Sequence, residues 1–174
     1  MTREQLEHLI RAAATIANDD EIVVIGSQAV LGQFPKAPAA LLVSVEADLF
    51  PRHHPERADL IDGSIGELSP FHQTFGYYAH GVGEETARLP EGWRSRLVPV
   101  PVGEARGLCL EIHDLVLSKW AAGREKDREF ASAVVRHGLV DRGILLERLQ
   151  TMPLANGQQT TIRGLIEKSF ARGR

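Results

Sequence analysis

Ile22, Val23, Val24 and Ile25 form an unbroken run of β-branched residues, and this run constrains the fold of the chain more than any other stretch. Branching at Cβ crowds a helix and suits a pleated strand, so residues 21–25 are predicted to be a strand. Apolar residues at consecutive positions need cover on both faces, so that strand is predicted to be buried. Gly26 permits a tight exit, and a helix is predicted to start near Ser27, with Ser27 as its N-cap. A second strand is predicted where Val43, Val45, Ala47 and Leu49 alternate with Ser44, Glu46, Asp48 and Phe50. Side chains in a strand alternate between faces, so the apolar set packs inward while Ser44, Glu46 and Asp48 share the other face.

The rest of the chain divides into an irregular middle and a helical end. Leu6, Leu9, Ile10, Ala13 and Ile16 recur at helical spacing and predict a first helix over 3–17, followed by a turn at Asn18, Asp19 and Asp20. Residues 32–39, with two prolines, read as a loop. Residues 51–67 are rich in charge and histidine, with a short helix at 56–61 and a place on the rim of a site. Strands are predicted at 75–82, around 86–89 and at 96–102, with turns at 83–85 and 90–92. Pro99 and Pro101 restrict the last strand to a sheet edge or to its own end. Helices are predicted over 112–122, 125–137, 141–151 and about 160–171. No repeat or linker interrupts the chain, so one domain over 1–174 is expected, with an α/β part at about 1–110 and a helical part at 111–174.

A chain of 174 residues with 43% hydrophobic residues can bury a core without disulfides. Its single cysteine, Cys109, lies between Leu108 and Leu110 and reads as a small buried hydrophobe. The N-terminal residues lack a signal-peptide pattern and no apolar run reaches spanning length, so a cytoplasmic location and no membrane contact are expected. A net charge of −3 argues against a protein that coats nucleic acid nonspecifically. Arg163, Lys168, Arg172 and Arg174 would form a local basic patch or, more simply, a solvated helical tail.

Candidate chemistry gathers in two places. Glu46 and Asp48, on one strand face, have Cα atoms about 6–7 Å apart at a rise of about 3.3 Å per residue. Carboxylates at that spacing can reach one divalent cation or two neighbouring ions and leave coordination positions open for phosphate. An acid-x-acid strand is also common on a solvated sheet face. Gly26 and Ser27 add N–H groups and a hydroxyl at a helix start, which suit a phosphate. The same pair is ordinary strand-to-helix punctuation, so the functional reading rests on the two features together. In the second place, Lys119 sits beside Leu115, Val116 and Trp120, a setting for a partly buried stem and a directed ammonium. Gly123 then separates two helices, a break that can aim Lys119, Arg124, Lys126 and Asp127 into one cleft. Cations there would neutralise a triphosphate, and Asp127 would complete a metal shell or position an acceptor hydroxyl. Salt bridges to Glu125, Asp127 or Glu129 account for Arg124 and Lys126 equally well.

Together, the turn from Gly26 to Ala29, the Ser44, Glu46 and Asp48 strand, and the element carrying Lys119, Arg124, Lys126 and Asp127 resemble the DNA-polymerase-β-type nucleotidyltransferase superfamily. The similarity is closer to the small bacterial branch near the AbiEii and MenT toxin nucleotidyltransferases, above all its stand-alone members. It runs from about Val23 to Val140 and includes the segments 69–78 and 89–97. The resemblance implies a minimal α/β core with a mixed sheet flanked by helices and a helical C-terminal part, using Mg2+ and a nucleoside triphosphate. Under it Gly26 and Ser27 hold phosphate, Glu46 and Asp48 hold metal, Lys119 contacts the triphosphate and Asp127 matches the later acid. Ser44, Arg124 and Lys126 join the nucleotide-binding set. The chain departs from the superfamily in having Glu46 where Asp is usual, and its Gly-Ser to acid spacing is longer than in the toxins.

The expected activity is transfer of a nucleoside monophosphate to an acceptor hydroxyl on RNA, protein or a small molecule. The alternative is a noncatalytic nucleotide- or partner-binding module of a toxin–antitoxin or defence system, with a cognate antitoxin as partner. Other chemistry finds less support. His53, His54, His72 and His80 match no tight zinc spacing, and no paired cysteines accompany them. His72, Tyr77 and Tyr78 would stack on a base or sit in a core. No serine lies in a nucleophile elbow.

Overall fold

The structure, a computed structural model, describes residues 1–171. Arg172 and Arg174 of the basic tail lie outside the described residues. The chain forms two compact units: residues 1–86 with 97–110, and residues 87–96 with those from Glu111 onward.

The first unit is a five-stranded mixed sheet with helices. Its first helix, α1 (Arg3–Ala17), opens with a capping box in which Gln5 N–H donates to Thr2 Oγ1 and Thr2 N–H donates to Gln5 Oε1. Leu6, Leu9, Ile10 and Ala13 are buried along its inner stripe. The strands are β1 (Glu21–Val24), β2 (Glu46–Pro51), β3 (Tyr78–Gly81), β4 (Val98–Val102) and β5 (Ala105–Cys109). Their order is β3-β2-β1-β5-β4. β1 pairs antiparallel with β2 and parallel with β5, β2 pairs parallel with β3, and β4 pairs antiparallel with β5. The β-branched run is central and buried, as its lack of alternation requires. β4 is an edge strand, where Pro99 and Pro101 face solvent and alternate with buried Val100 and Val102. Short helices α2 (Val30–Gln33), α3 (Ala58–Ile65) and α4 (Pro70–Phe75) complete the unit.

Four local readings change. β2 starts at Glu46: Val43 and Val45 are 80% and 47% exposed, so the alternation before residue 46 is not a packed strand. Ser44 accounts for this, since its hydroxyl accepts from Glu46 N–H and donates to Glu46 C=O, closing a turn ahead of the strand. Phe75, predicted as strand, ends α4. Ser69 caps that helix by accepting from His72 N–H, Pro70 takes its first position, and Gly76 stops it at φ 76°. Residues 86–89 form no strand, because the backbone N–H and hydroxyl of Thr86 both turn back to the Gly83 carbonyl. Conversely, β5 carries no strand signature in Ala105–Cys109. It is built by a two-residue hairpin at Gly103 and Glu104, and a Cβ at Gly107 would lie 2.5 Å from Ile10 Cδ1 of α1.

The second unit is helical: α5 (Ile112–Ala122), α6 (Glu125–Arg136), α7 (Arg142–Leu149) and α8 (Asn156–Ala171). Every residue of α5 from Ile112 to Ser118 is buried, which makes it the unit's central helix. Gly123, at φ 71°, caps it and sends the chain into α6. The segment 87–96 adds buried Trp93 and Arg96, whose guanidinium grips the fully buried Asp114 through Nε at 2.8 Å and Nη2 at 3.2 Å. Arg148 binds the same carboxylate at 3.0 Å and also pairs with Glu111. Arg163 and Lys168 are exposed on α8.

Candidate functional site

The parallel register of β2 and β3 sets Glu46 beside Tyr78 and Asp48 beside His80, and paired residues in a sheet share a face. Alternation sends Ala47, Leu49 and Ala79 the other way, into the core. Tyr78 donates its hydroxyl to Glu46 Oε2 at 2.9 Å. Burial and then this carboxylate push the Tyr78 hydroxyl up to about 12, so it remains a proton donor at neutral pH. His80 Nδ1 lies 3.2 Å from Asp48 Oδ1 and 3.3 Å from Glu46 Oε1. Glu46, Asp48 and His80 thus offer three ligand atoms within 4.8 Å of one another. Both carboxylates are partly open to solvent and can be approached.

The turn after β1 lies against the same carboxylate. Ile25 N–H donates to the Asp48 carbonyl at 3.0 Å, and a Cβ at Gly26 would lie 2.5 Å from Asp48 Oδ2. Glycine at position 26 therefore leaves room for the acid rather than serving an unusual backbone angle, since its φ is −78°. Ser27 is not the N-cap: Gly26 holds that position, and Ser27 opens a single 3₁₀ turn, Ser27–Ala29, that leads into α2. The Ser27 hydroxyl accepts from Gln28 Nε2 at 3.4 Å. Gln28 is fully buried and also donates to the Leu41 carbonyl, which pins the turn. Ser44 is half-buried, and its hydroxyl engages the Glu46 backbone and so orients the strand entry.

The helical unit holds the other candidates. Lys119 Nζ lies 3.2 Å from Asp127 Oδ1, and Arg124 Nε donates to Asp127 Oδ2 at 2.6 Å. Asp127 is only 2% exposed. Burial opposes its charge, yet hydrogen bonds and attraction from Arg124 and Lys119 hold the carboxyl below its ordinary range. The Gly123 break thus brings two of the sequence candidates, Lys119 and Arg124, to a third, Asp127. Lys126 is exposed on the first turn of α6.

A family model described as "Nucleotidyltransferase of unknown function (DUF6036)" matches residues 4–162. The chain belongs to this family. No curated protein and no solved structure matches it. Membership of a nucleotidyltransferase family implies a nucleoside triphosphate substrate, such enzymes typically use a divalent metal, and the acidic centre fits such an ion on two counts. Its donors are two carboxylates and an imidazole, all suited to a divalent cation. Gly26 also makes room for one of these donors: a Cβ there would lie 2.5 Å from Asp48 Oδ2 and push the carboxylate aside.

A second cluster in this DUF6036 chain, Asp19, Asp20 and His53, borders an open cleft of about 600 Å³. Asp19 is already saturated: it accepts from the backbone N–H groups of Glu21, His53 and His54, and from His53 Nδ1. Burial opposes its charge, but these donors hold the carboxyl below the usual range. It ties the entry of β1 to the exit of β2. Sequence reading weighed Tyr78 against a base and His80 against zinc but placed neither beside Glu46 and Asp48, because that neighbourhood depends on a pairing across 32 residues. Among the described residues no helix is long and apolar enough to cross a membrane.

Proposed function

We propose that the chain is a Mg2+-dependent nucleotidyltransferase that moves a nucleoside monophosphate from an NTP to an acceptor hydroxyl and releases pyrophosphate. The observation that carries this reading is the convergence of Glu46 and Asp48 on one sheet face, with Asp48 packed against the bare backbone of Gly26, in a chain of a nucleotidyltransferase family. When bound by Glu46 and Asp48, the metal would supply charge neutralisation at the reacting phosphate and activate the acceptor hydroxyl. Tyr78 fixes the orientation of Glu46 through its hydroxyl. Gly26 leaves room for the Asp48 carboxylate, and the Ser27 hydroxyl is assigned to substrate phosphate, with Ser44 shaping the strand entry.

Lys119 and Arg124 are assigned to the negative charge of the triphosphate, a role that favours cations held in fixed orientations. Asp127 supports that role by holding both. Exposed Lys126 is assigned to the same substrate. The likeness to the AbiEii and MenT toxins makes RNA the first acceptor to try, ahead of protein or small-molecule hydroxyls.

The test is incubation of the protein with each labelled NTP, Mg2+ and total RNA, followed by a search for labelled product. Label in an acceptor, lost in Asp48→Asn, supports transfer. NTP binding without label on RNA, protein or small molecules would instead favour a noncatalytic module with a partner such as an antitoxin.

A further inference from the structure

We propose that His80 is a metal ligand, and that it makes the Glu46 and Asp48 centre a mixed nitrogen–oxygen site that holds Mn2+ in preference to Mg2+. The inference rests on the metal-dependent reading above and adds an ion preference that two carboxylates alone would not give.

One imidazole nitrogen does all the work. Nδ1 of His80 is 3.2 Å from Asp48 Oδ1 and 3.3 Å from Glu46 Oε1, so it faces both acids at once. Adjacent ligands of an octahedral ion with bonds of about 2.1–2.3 Å are separated by about 3.0–3.3 Å. The two separations match that spacing, and all three ligand atoms lie within 4.8 Å of one another, so one ion can reach all three through small side-chain shifts. Glu46 is turned the right way for it: Tyr78 engages Oε2, and Oε1 is the oxygen that meets His80. The imidazole is half exposed, which leaves the centre open to an arriving ion.

The position of His80 is fixed by its neighbours. Its strand pairs with β2 in a register that puts His80 opposite Asp48. The next residue, Gly81, passes so close to α3 that a Cβ would lie 2.1 Å from the Ala58 carbonyl oxygen, and its N–H points to Asp62 Oδ1 at 3.4 Å. β3 thus has no room to slide past α3. A side chain held this way differs from a surface histidine that meets acids by chance.

The donor set ranks Mn2+ above Mg2+. Mg2+ prefers oxygen ligands and retains water, whereas an imidazole nitrogen adds more to binding of first-row transition ions. Replacing one oxygen donor by nitrogen therefore shifts selectivity towards those ions, and Mn2+ also suits the two remaining carboxylates.

The test uses the full chain without nucleotide. Mn2+ and Mg2+ affinities are measured by calorimetry for wild type, His80→Ala, His80→Asp and Asp48→Asn, with circular dichroism to verify the fold. Pulsed EPR of bound Mn2+ then reports any directly coordinated nitrogen. Wild type should bind Mn2+ at least about tenfold more tightly than Mg2+ and show imidazole nitrogen coupling. His80→Ala should lose the coupling and about tenfold in Mn2+ affinity, with a smaller change for Mg2+. His80→Asp should retain binding but lose the preference for Mn2+. Absence of nitrogen coupling in wild type, or an unchanged Mn2+ to Mg2+ ratio in His80→Ala, overturns the assignment. If Asp48→Asn still abolishes metal binding in that case, only His80 is misassigned and the transferase reading stands. If wild type binds neither ion, with or without NTP, both fall.

Discussion

Gly26 and Asp48 show how one missing atom shapes a site. The backbone at position 26 suits any residue, so the obstacle to a larger side chain is the Asp48 carboxylate, 2.5 Å from where Cβ would stand. Gly26→Ala should leave stability within about 1 kcal/mol while weakening divalent-metal binding about tenfold, read by thermal melting and calorimetry. Unchanged metal affinity would show that Asp48 moves aside without consequence. Lys119 makes the contrasting case. Its ammonium neutralises an acid that is 2% exposed, so removing it leaves Asp127 to Arg124 alone. Lys119→Ala should therefore destabilise the protein by on the order of 1–3 kcal/mol, seen as a lower urea midpoint at unchanged slope. The cost should shrink in an Asp127→Ala background. A full loss in both backgrounds would mean that the lysine stem, not the ion pair, carries the effect. The identities of Gly26, Glu46, Asp48, Lys119 and Asp127 were legible as candidates because short-range patterns mark them. The place of Tyr78 and His80 beside Glu46 and Asp48 was not legible, since nothing local distinguishes a functional aromatic or histidine in a strand from a structural one.

At the scale of elements, Glu111 connects a helix cap to a charge network. It caps α5 by accepting from His113 N–H, binds His113 Nδ1, and pairs with Arg148, which also reaches Asp114 beside Arg96. Burial opposes its ionisation, yet the bonds from His113 and Arg148 lower its carboxyl from 4.5 to about 2. A carboxyl depressed by folding stabilises above its unfolded value and loses that contribution as pH falls through the folded one. The loss should fall between pH 4.5 and about 2 and amount to on the order of 2–3 kcal/mol. Acid titration of urea stability should show this slope in wild type and a much weaker one in Glu111→Gln, whose amide keeps the cap without the charge. Equal slopes would place the acid sensitivity elsewhere. The α5 and α6 boundaries were readable because Gly123 and the apolar periodicity are local signals. β5 and α4 were not: Gly107 is shaped by the approach of Ile10, and Phe75 reads as the start of a strand although Gly76 ends a helix there and the strand begins at Tyr78. Non-local packing decided both.

At the scale of the whole molecule, the chain combines an α/β unit that presents the acidic centre with a helical unit that holds the Lys119, Arg124 and Asp127 group. The fold class was legible because the unbroken apolar strand, the alternating strand and the helical second half each leave a distinct pattern. The assignment of residues 87–96 to the helical unit was not, because it depends on Arg96 finding Asp114. The central claim is that Glu46 and Asp48 support metal-dependent nucleotidyl transfer. The most direct measurement compares wild type, Asp48→Asn and Glu46→Asp with labelled NTPs, Mg2+ or Mn2+, and acceptors that include RNA. The account predicts metal-dependent labelling by wild type, at least a hundredfold loss in Asp48→Asn at unchanged melting temperature, and partial activity in Glu46→Asp. Labelling that survives Asp48→Asn, or a wild type that neither labels an acceptor nor binds NTP with metal, would contradict it.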